Sequence, residues 1–147
     1  EEILSRLKAP AKLTARTKEL VALHMRDFDL KMREGKVRRE IVQAYPFLEE
    51  LFALRQADFS ACKDDLSPAP SVLKWRSILA GMEREGVPFT LAMLAVNGRD
   101  MAALGLRGER VGAALLALQN YCIEDGRRNT REALLARAKK FADRPAD

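Results

Sequence analysis

Apolar side chains recur three and four places apart along almost the whole chain, and that spacing admits little other than helix. Leu20 and Leu23, Val37 and Ile41, Leu48, Leu51 and Phe52, and Ile78, Leu79 and Met82 each form such a stripe. With 3.6 residues per turn, a helix gathers these positions on one face. The residues between them are rich in Ala, Arg and Glu, while strand formers are few. The fold class read from the pattern is all-α: an irregular array of about seven to nine helices in two helical subdomains.

Punctuation residues divide the array. A short first helix stops near Pro10. Thr14 suits the N-cap of a second helix over 15–31, with Leu20, Val21, Leu23 and Phe28 turned inward. Gly35 breaks that pattern. A third helix over 36–45 is expected to bury Val37, Ile41 and Val42 and to expose Arg38, Arg39 and Glu40. Pro46 fits the first turn of a fourth, running to Cys62 with Leu48, Leu51, Phe52, Leu54 and Phe59 inward. The run Lys63-Asp64-Asp65-Leu66-Ser67-Pro68-Ala69-Pro70 is the strongest break. Prolines and acids there argue for a linker, placing the subdomain boundary between 1–65 and 66–147. A fifth helix over 71–85 carries Leu73, Trp75, Ile78, Leu79 and Met82, with Gly86 as its C-cap and Trp75 as a core anchor. Short helices are expected over 91–95 and 100–104, a long one over 108–124, and a last one from Asn129 or Thr130 to Phe141. The tail 144–147 is expected to fray.

Composition closes off several classes of function. At 48% hydrophobic and 32% charged, the chain is a globular type rather than a disordered one. No run of roughly 18 apolar residues exists to span a membrane, and no signal peptide opens the sequence. The start at Glu1, without Met and inside a helical pattern, reads as a piece of a longer protein. Cys62 and Cys122 lie far apart with no CxxC or Cys/His cluster, which points to small apolar fillers in a reducing, cytoplasmic setting. His24 and Asp27 share a helical face, but a catalytic metal normally needs three protein ligands, and neither a second His nor a cysteine is near. Asp64 and Asp65 are consecutive, so they diverge on any regular element. No P-loop, nucleophile elbow or dinucleotide fingerprint occurs. The chain by itself is therefore expected to carry no catalytic residue, no metal and no cofactor.

Charge is more suggestive. The net charge of +5 suits a polyanionic partner and equally a soluble surface. One cluster is Lys36, Arg38 and Arg39, which either meets a polyanion or forms a solvated helix face beside Glu34 and Glu40. The other is Leu104-Gly105-Leu106-Arg107-Gly108-Glu109-Arg110-Val111-Gly112. Its glycines bracket a tight turn between helices, and Gly112 allows close approach of the second. Such a turn presents backbone N–H groups at a helix N-terminus, where a phosphate is favoured. Arg107 and Arg110 add charge, and Arg127, Arg128 and Arg131 follow one helix later. Tight packing of an αα-hairpin explains the glycines equally well.

The run Val96-Asn97-Gly98-Arg99-Asp100-Met101, then Leu104-Gly105-Leu106-Arg107-Gly108, Val111-Gly112, Leu115 and Leu118, resembles a C-terminal signature of bacterial CCA-adding tRNA nucleotidyltransferases and poly(A) polymerases. Asn129 with Ala133, Leu134 and Leu135 is similar to the helix that follows in that family. Met101 stands where the family has Leu, and Glu109 where Pro is common. Upstream, Val37-Arg38-Arg39 and Leu54-Arg55-Gln56-Ala57-Asp58 look like the family's V-R-R helix and L-x-x-A-D helix end. The resemblance covers about Leu20 to Lys140.

The resemblance implies the helical body and tail of such an enzyme, which hold tRNA or a tRNA-like RNA through phosphate and shape contacts. The family's head domain, with its Gly-Ser turn and paired metal-binding aspartates, has no counterpart in this sequence, nor has the nucleotide-selecting motif of its neck. Mg²⁺, CTP and ATP are accordingly expected only in that head domain. It would be the chain's own N-terminal catalytic partner and would carry out the nucleotidyl transfer. The RNA-binding candidates are Lys36, Arg38, Arg39, Arg107, Gly108, Arg110, Arg127, Arg128 and Arg131. In some relatives an upstream region is related to HD phosphohydrolases, and His24 could be a remnant of such a site. Two other readings stay open: a helical protein-interaction or oligomerisation module, and a helix-hairpin-helix DNA-binding module.

Overall fold

The computed structural model describes residues 2–143, and the tail expected to fray lies outside them. Among the described residues every regular element is a helix, and there is no strand. Eight α-helices follow in order along them: α1 Glu2–Arg6, α2 Ala11–His24, α3 Glu34–Ala44, α4 Leu48–Lys63, α5 Pro70–Glu85, α6 Gly98–Ala103, α7 Glu109–Glu124 and α8 Arg131–Ala142. Single 3-10 turns occupy Tyr45–Phe47, Leu91–Met93 and Gly126–Arg128.

The chain forms two compact units, Glu1–Arg33 with Ala44–Arg76, and Glu34–Gln43 with Ser77–Asp147. The divisions fall at the start of α3, before its last residue, and within α5. The segment 64–69 is non-helical, as its prolines and acids suggest, and Leu66 is almost fully exposed.

In the first unit, α2 packs on α4. The interior holds Leu23, Leu48, Leu51, Phe52, Val72 and a fully buried Trp75. The expected second helix is displaced. It begins four residues early behind Pro10 and ends at His24, so Thr14 is not its cap. Beyond it the backbone turns, with Asp27 and Leu30 in the left-handed region at φ 59° and 60°. Phe28 and Val21, expected inward, are half exposed.

Buried bonds hold the turn. The Asp27 carboxylate accepts from the Trp75 indole N–H at 3.0 Å and the Met32 amide at 2.8 Å, and pairs with Lys74 at 2.8 Å. Lys74 also donates to the Leu30 and Met32 carbonyls at 2.9 and 2.8 Å. Burial works to raise the Asp27 pKa, but the bonds from Lys74, Met32 and Trp75 outweigh it and hold the carboxyl below its usual range. Helix propensity loses here to a satisfied polar cluster that a continued helix would break.

In the second unit, α7 is the central element, packing against α6, α8 and two of the 3-10 turns. Ala114, Leu118 and Cys122, spaced four apart on α7, meet Leu134 and Ala138 of α8 with Val96, Met101 and Leu106 in one core. Asn97 caps α6: its side chain accepts from the Arg99 and Asp100 amides, and Asp100 reaches back to the Asn97 amide. Thr130 caps α8 by accepting from the Ala133 amide. These bonds satisfy amides that helix starts leave without partners.

Three expectations for α3 and α7 are corrected. Gly35 sits inside α3 rather than before it, and Arg38 and Glu40 are buried rather than exposed, at 6% and 8%. Gly112 makes no close approach, since a Cβ there would meet nothing within 4 Å. The glycine that packing requires is Gly126, where a Cβ would lie 2.6 Å from both the Glu85 carbonyl oxygen and the Val87 amide nitrogen.

Candidate nucleic-acid interface

The glycine turn forms as the spacing implies, and its backbone needs both glycines. Residues 104–108 join α6 to α7, with Gly105 at φ 86° and Gly108 at φ 55°. Those angles favour residues without a Cβ. Leu106 plugs the core beneath, 1% exposed. Arg107 folds back to donate to the Ala102 carbonyl at 2.9 Å, and Arg110 donates to the Ala142 carbonyl at 3.5 Å. Both arginines thus lie against a helix C-terminus, where the dipole favours a cation.

The turn offers fewer amides to a phosphate than the pattern promised. The Arg110 and Val111 amides donate to the Arg107 and Gly108 carbonyls, each at 3.2 Å. Glu109 brings a carboxylate into the first turn of α7, at the end whose dipole would attract an anion.

Most of the other candidate cations meet carboxylates within their own unit. Arg38 donates its Nε to the Ile123 carbonyl at 2.6 Å and forks onto Glu85 with bonds of 3.2 and 2.5 Å. That pairing holds the Glu85 carboxyl below its ordinary range and raises the guanidinium. Arg38 therefore fastens α3 to the ends of α5 and α7. Arg39 pairs with Glu124 at 3.4 Å, and Arg127 with Asp125 at 2.9 Å. Arg128 reaches Glu124 at 3.2 Å and lies over the Tyr121 ring. Arg131 pairs with Asp100 at 2.5 Å, which ties α8 to the capping box of α6. Lys36 is exposed on the first turn of α3.

A further basic feature was not singled out in the sequence. Between α7 and α8 runs a groove of about 190 Å³ lined by Ala114, Ala117, Leu118, Arg137, Lys140 and Phe141. No carboxylate lines it among the described residues. Arg137 also lies over the Tyr121 ring, 5.1 Å from its centre. Arg110, one turn before Ala114, reaches the neighbouring Ala142. The sequence signal for this groove was weak: the 137–140 spacing puts both cations on one face of a helix rich in basic residues, but not opposite small residues of another helix.

The residues carrying the family resemblance have structural roles. Asn97 and Asp100 build the α6 cap. The Asn129 side chain accepts from the Ala95 amide and donates to the Met93 carbonyl, each at 2.9 Å. His24 gives its Nδ1 to the Val21 carbonyl at 2.6 Å. Among the described residues no group of three or more His, Cys, Asp and Glu side chains is placed to hold a metal, and no helix is long and apolar enough to cross a membrane. No protein-family model, curated protein or solved structure matches the chain.

Proposed function

We propose that this chain is an RNA-holding helical element that positions a tRNA-like RNA for 3′-end extension by a separate catalytic domain, as in the body and tail of a tRNA nucleotidyltransferase. The observation that carries the reading is the α7–α8 groove, which no carboxylate lines among the described residues, while Arg39, Arg127 and Arg131 pair with carboxylates of their own unit. Cations beside a small exposed apolar residue suit a sugar-phosphate backbone: phosphates take the charge and ribose rests on Ala117. Arg107 and Arg110 extend the positive surface toward the glycine turn. The sequence signature over 96–135 supplies the tRNA-specific part of the reading, and the chemistry of extension belongs to the other domain, with its Mg²⁺, CTP and ATP.

The test is a titration of the chain with a tRNA-like hairpin at several salt concentrations. Arg137→Gln with Lys140→Gln should weaken binding and reduce the magnitude of the salt slope by about 1.4 to 1.8, the share of two phosphate contacts. Unchanged affinity and slope in the folded double variant would refute the groove. Binding equal to that of a DNA duplex would favour the helix-hairpin-helix reading.

A second reading has its own observation. Ile3, Leu7, Leu13, Val21 and Met25 are all more than half exposed on α1, on α2 and just beyond. Large apolar side chains gathered in one stretch favour a polypeptide partner. That partner is compatible with the catalytic domain of the first reading.

A further inference from the structure

A cleft of about 110 Å³ opens in the first unit where α2, the left-handed turn, α4 and the start of α5 meet. It is lined by His24, Phe28, Arg55, Asp58, Phe59 and Ser71 among others. We propose that this cleft takes one unstacked base of the bound RNA, an inference that rests on the RNA-holding reading.

Three features of the cleft point that way. Its size suits a single ring system and falls well short of the roughly 300 Å³ at which enclosed small-molecule pockets begin. An occupant that leaves its backbone outside fits such a space. Its chemistry is mixed in the manner a base requires. The rings of Phe28 and Phe59 offer apolar faces, and bases splayed from single strands stack on aromatic side chains. Asp58 accepts from an amino or imino N–H, and so can the His24 Nε2, since the Nδ1–H is given to the Val21 carbonyl. A purely apolar ligand would leave these polar groups desolvated.

The cleft is also held in shape before any ligand arrives. Arg55 is 3% exposed, its guanidinium lies 3.9 Å from the Trp75 ring centre, and it donates to the Leu23 carbonyl at 3.0 Å. The wall carrying Phe28 is the turn between Asp27 and Leu30, both left-handed without being glycine. Lys74 and Trp75 lock that turn through Asp27 and the Leu30 carbonyl. Backbone strain that neighbouring bonds over-determine recurs at ligand sites. Here it keeps an aromatic ring at the mouth of the cleft, half exposed to solvent. Arg55 and Asp27 are the frame, and Phe28 and Asp58 are the residues a base would meet.

The experiment compares two RNAs on the whole chain: a hairpin ending in a few unpaired nucleotides and the same hairpin with a blunt end. The unpaired end should bind more tightly by roughly fivefold or more, the range of one stacked base. Phe28→Ala should abolish that preference and leave blunt-end affinity unchanged, with circular dichroism confirming the fold. Asp58→Asn should keep a preference for the unpaired end but change which nucleotide is favoured there. Equal binding of both RNAs by the unmodified chain overturns the inference while the RNA-holding reading stands. So does a preference that survives Phe28→Ala. Binding of neither RNA overturns the RNA-holding reading, and the base cleft with it.

Discussion

Replacing Gly126 by alanine tests the packing of the second unit at one atom. The added Cβ would stand 2.6 Å from the Glu85 oxygen, 2.6 Å from the Val87 nitrogen and 2.8 Å from the Glu85 carbon. All three are backbone atoms, so no rotamer change relieves the overlap, and either the 3-10 turn Gly126–Arg128 or the end of α5 must move. A van der Waals contact needs more than about 3.4 Å, so the shift is on the order of 0.8 Å. That movement would also pull on the Arg38–Glu85 fork and the Gly126 amide, which approaches Glu85 at 3.5 Å. Overpacking of this kind costs about 1–3 kcal/mol. For a chain of this length each kcal/mol lowers Tm by about 2–4 °C, which sets the expected drop at about 2–12 °C.

Gly112→Ala is the matched control. It places the same methyl group mid-α7 with nothing within 4 Å, and should stabilise the chain by about 0.5–1 kcal/mol through helix propensity. Thermal and urea unfolding of both variants decide the matter. A Gly126→Ala protein as stable as the parent would show that the assigned packing of α5 against the 126–128 turn is wrong, and a Gly112→Ala protein less stable would show that the space assigned around Gly112 on α7 is wrong.

Asp27→Ala should destabilise the chain by about 3 kcal/mol, because the Trp75 N–H and the Lys74 ammonium lose their buried acceptor; an unchanged urea midpoint would refute the cluster. Stability should also fall on acidification. Glu85, held below its ordinary value of 4.5 first by Arg38, and Asp27, held below 3.8 by its bonds against the opposing effect of burial, bind protons less readily folded than unfolded. Their contribution is full above about 4.5 and is lost as pH drops through the lower folded values, so urea midpoints should decline below pH 4.5 and Arg38→Met should shrink the decline. The thiols should divide sharply: Cys62 is exposed, whereas burial pushes Cys122 up to about 11. A disulfide reagent at mild alkaline pH should therefore modify Cys62 quickly and reach Cys122 only on unfolding, and equal rates would contradict the packing of α7 on α8.

Local physics made much of this fold legible in the sequence. α5 and α7 begin and end within a residue of where the sequence places them, because Pro70 fixes its own φ, and Gly86 and Gly108 take positive φ angles that other residues resist. Trp75 is buried as its helical register requires, and Asn97 and Thr130 cap helices as their side chains allow. Other features depend on atoms distant in the sequence. α2 stops at His24 because Lys74 and Trp75, about fifty residues on, make a better polar cluster around Asp27 than a continued helix could. A sequence alone gives Arg38 and Arg137 the same expected exposure. Tertiary structure buries the first against Glu85 and the Ile123 carbonyl and leaves the second exposed on a groove that no carboxylate lines among the described residues. Gly126 and Gly112 are likewise indistinguishable as letters. Only the approach of another backbone, which no local rule encodes, makes one indispensable and the other replaceable. Periodicity and capping determined which segments are helices, and long-range contacts decided which charges are paired within the fold and which lie exposed at its surface.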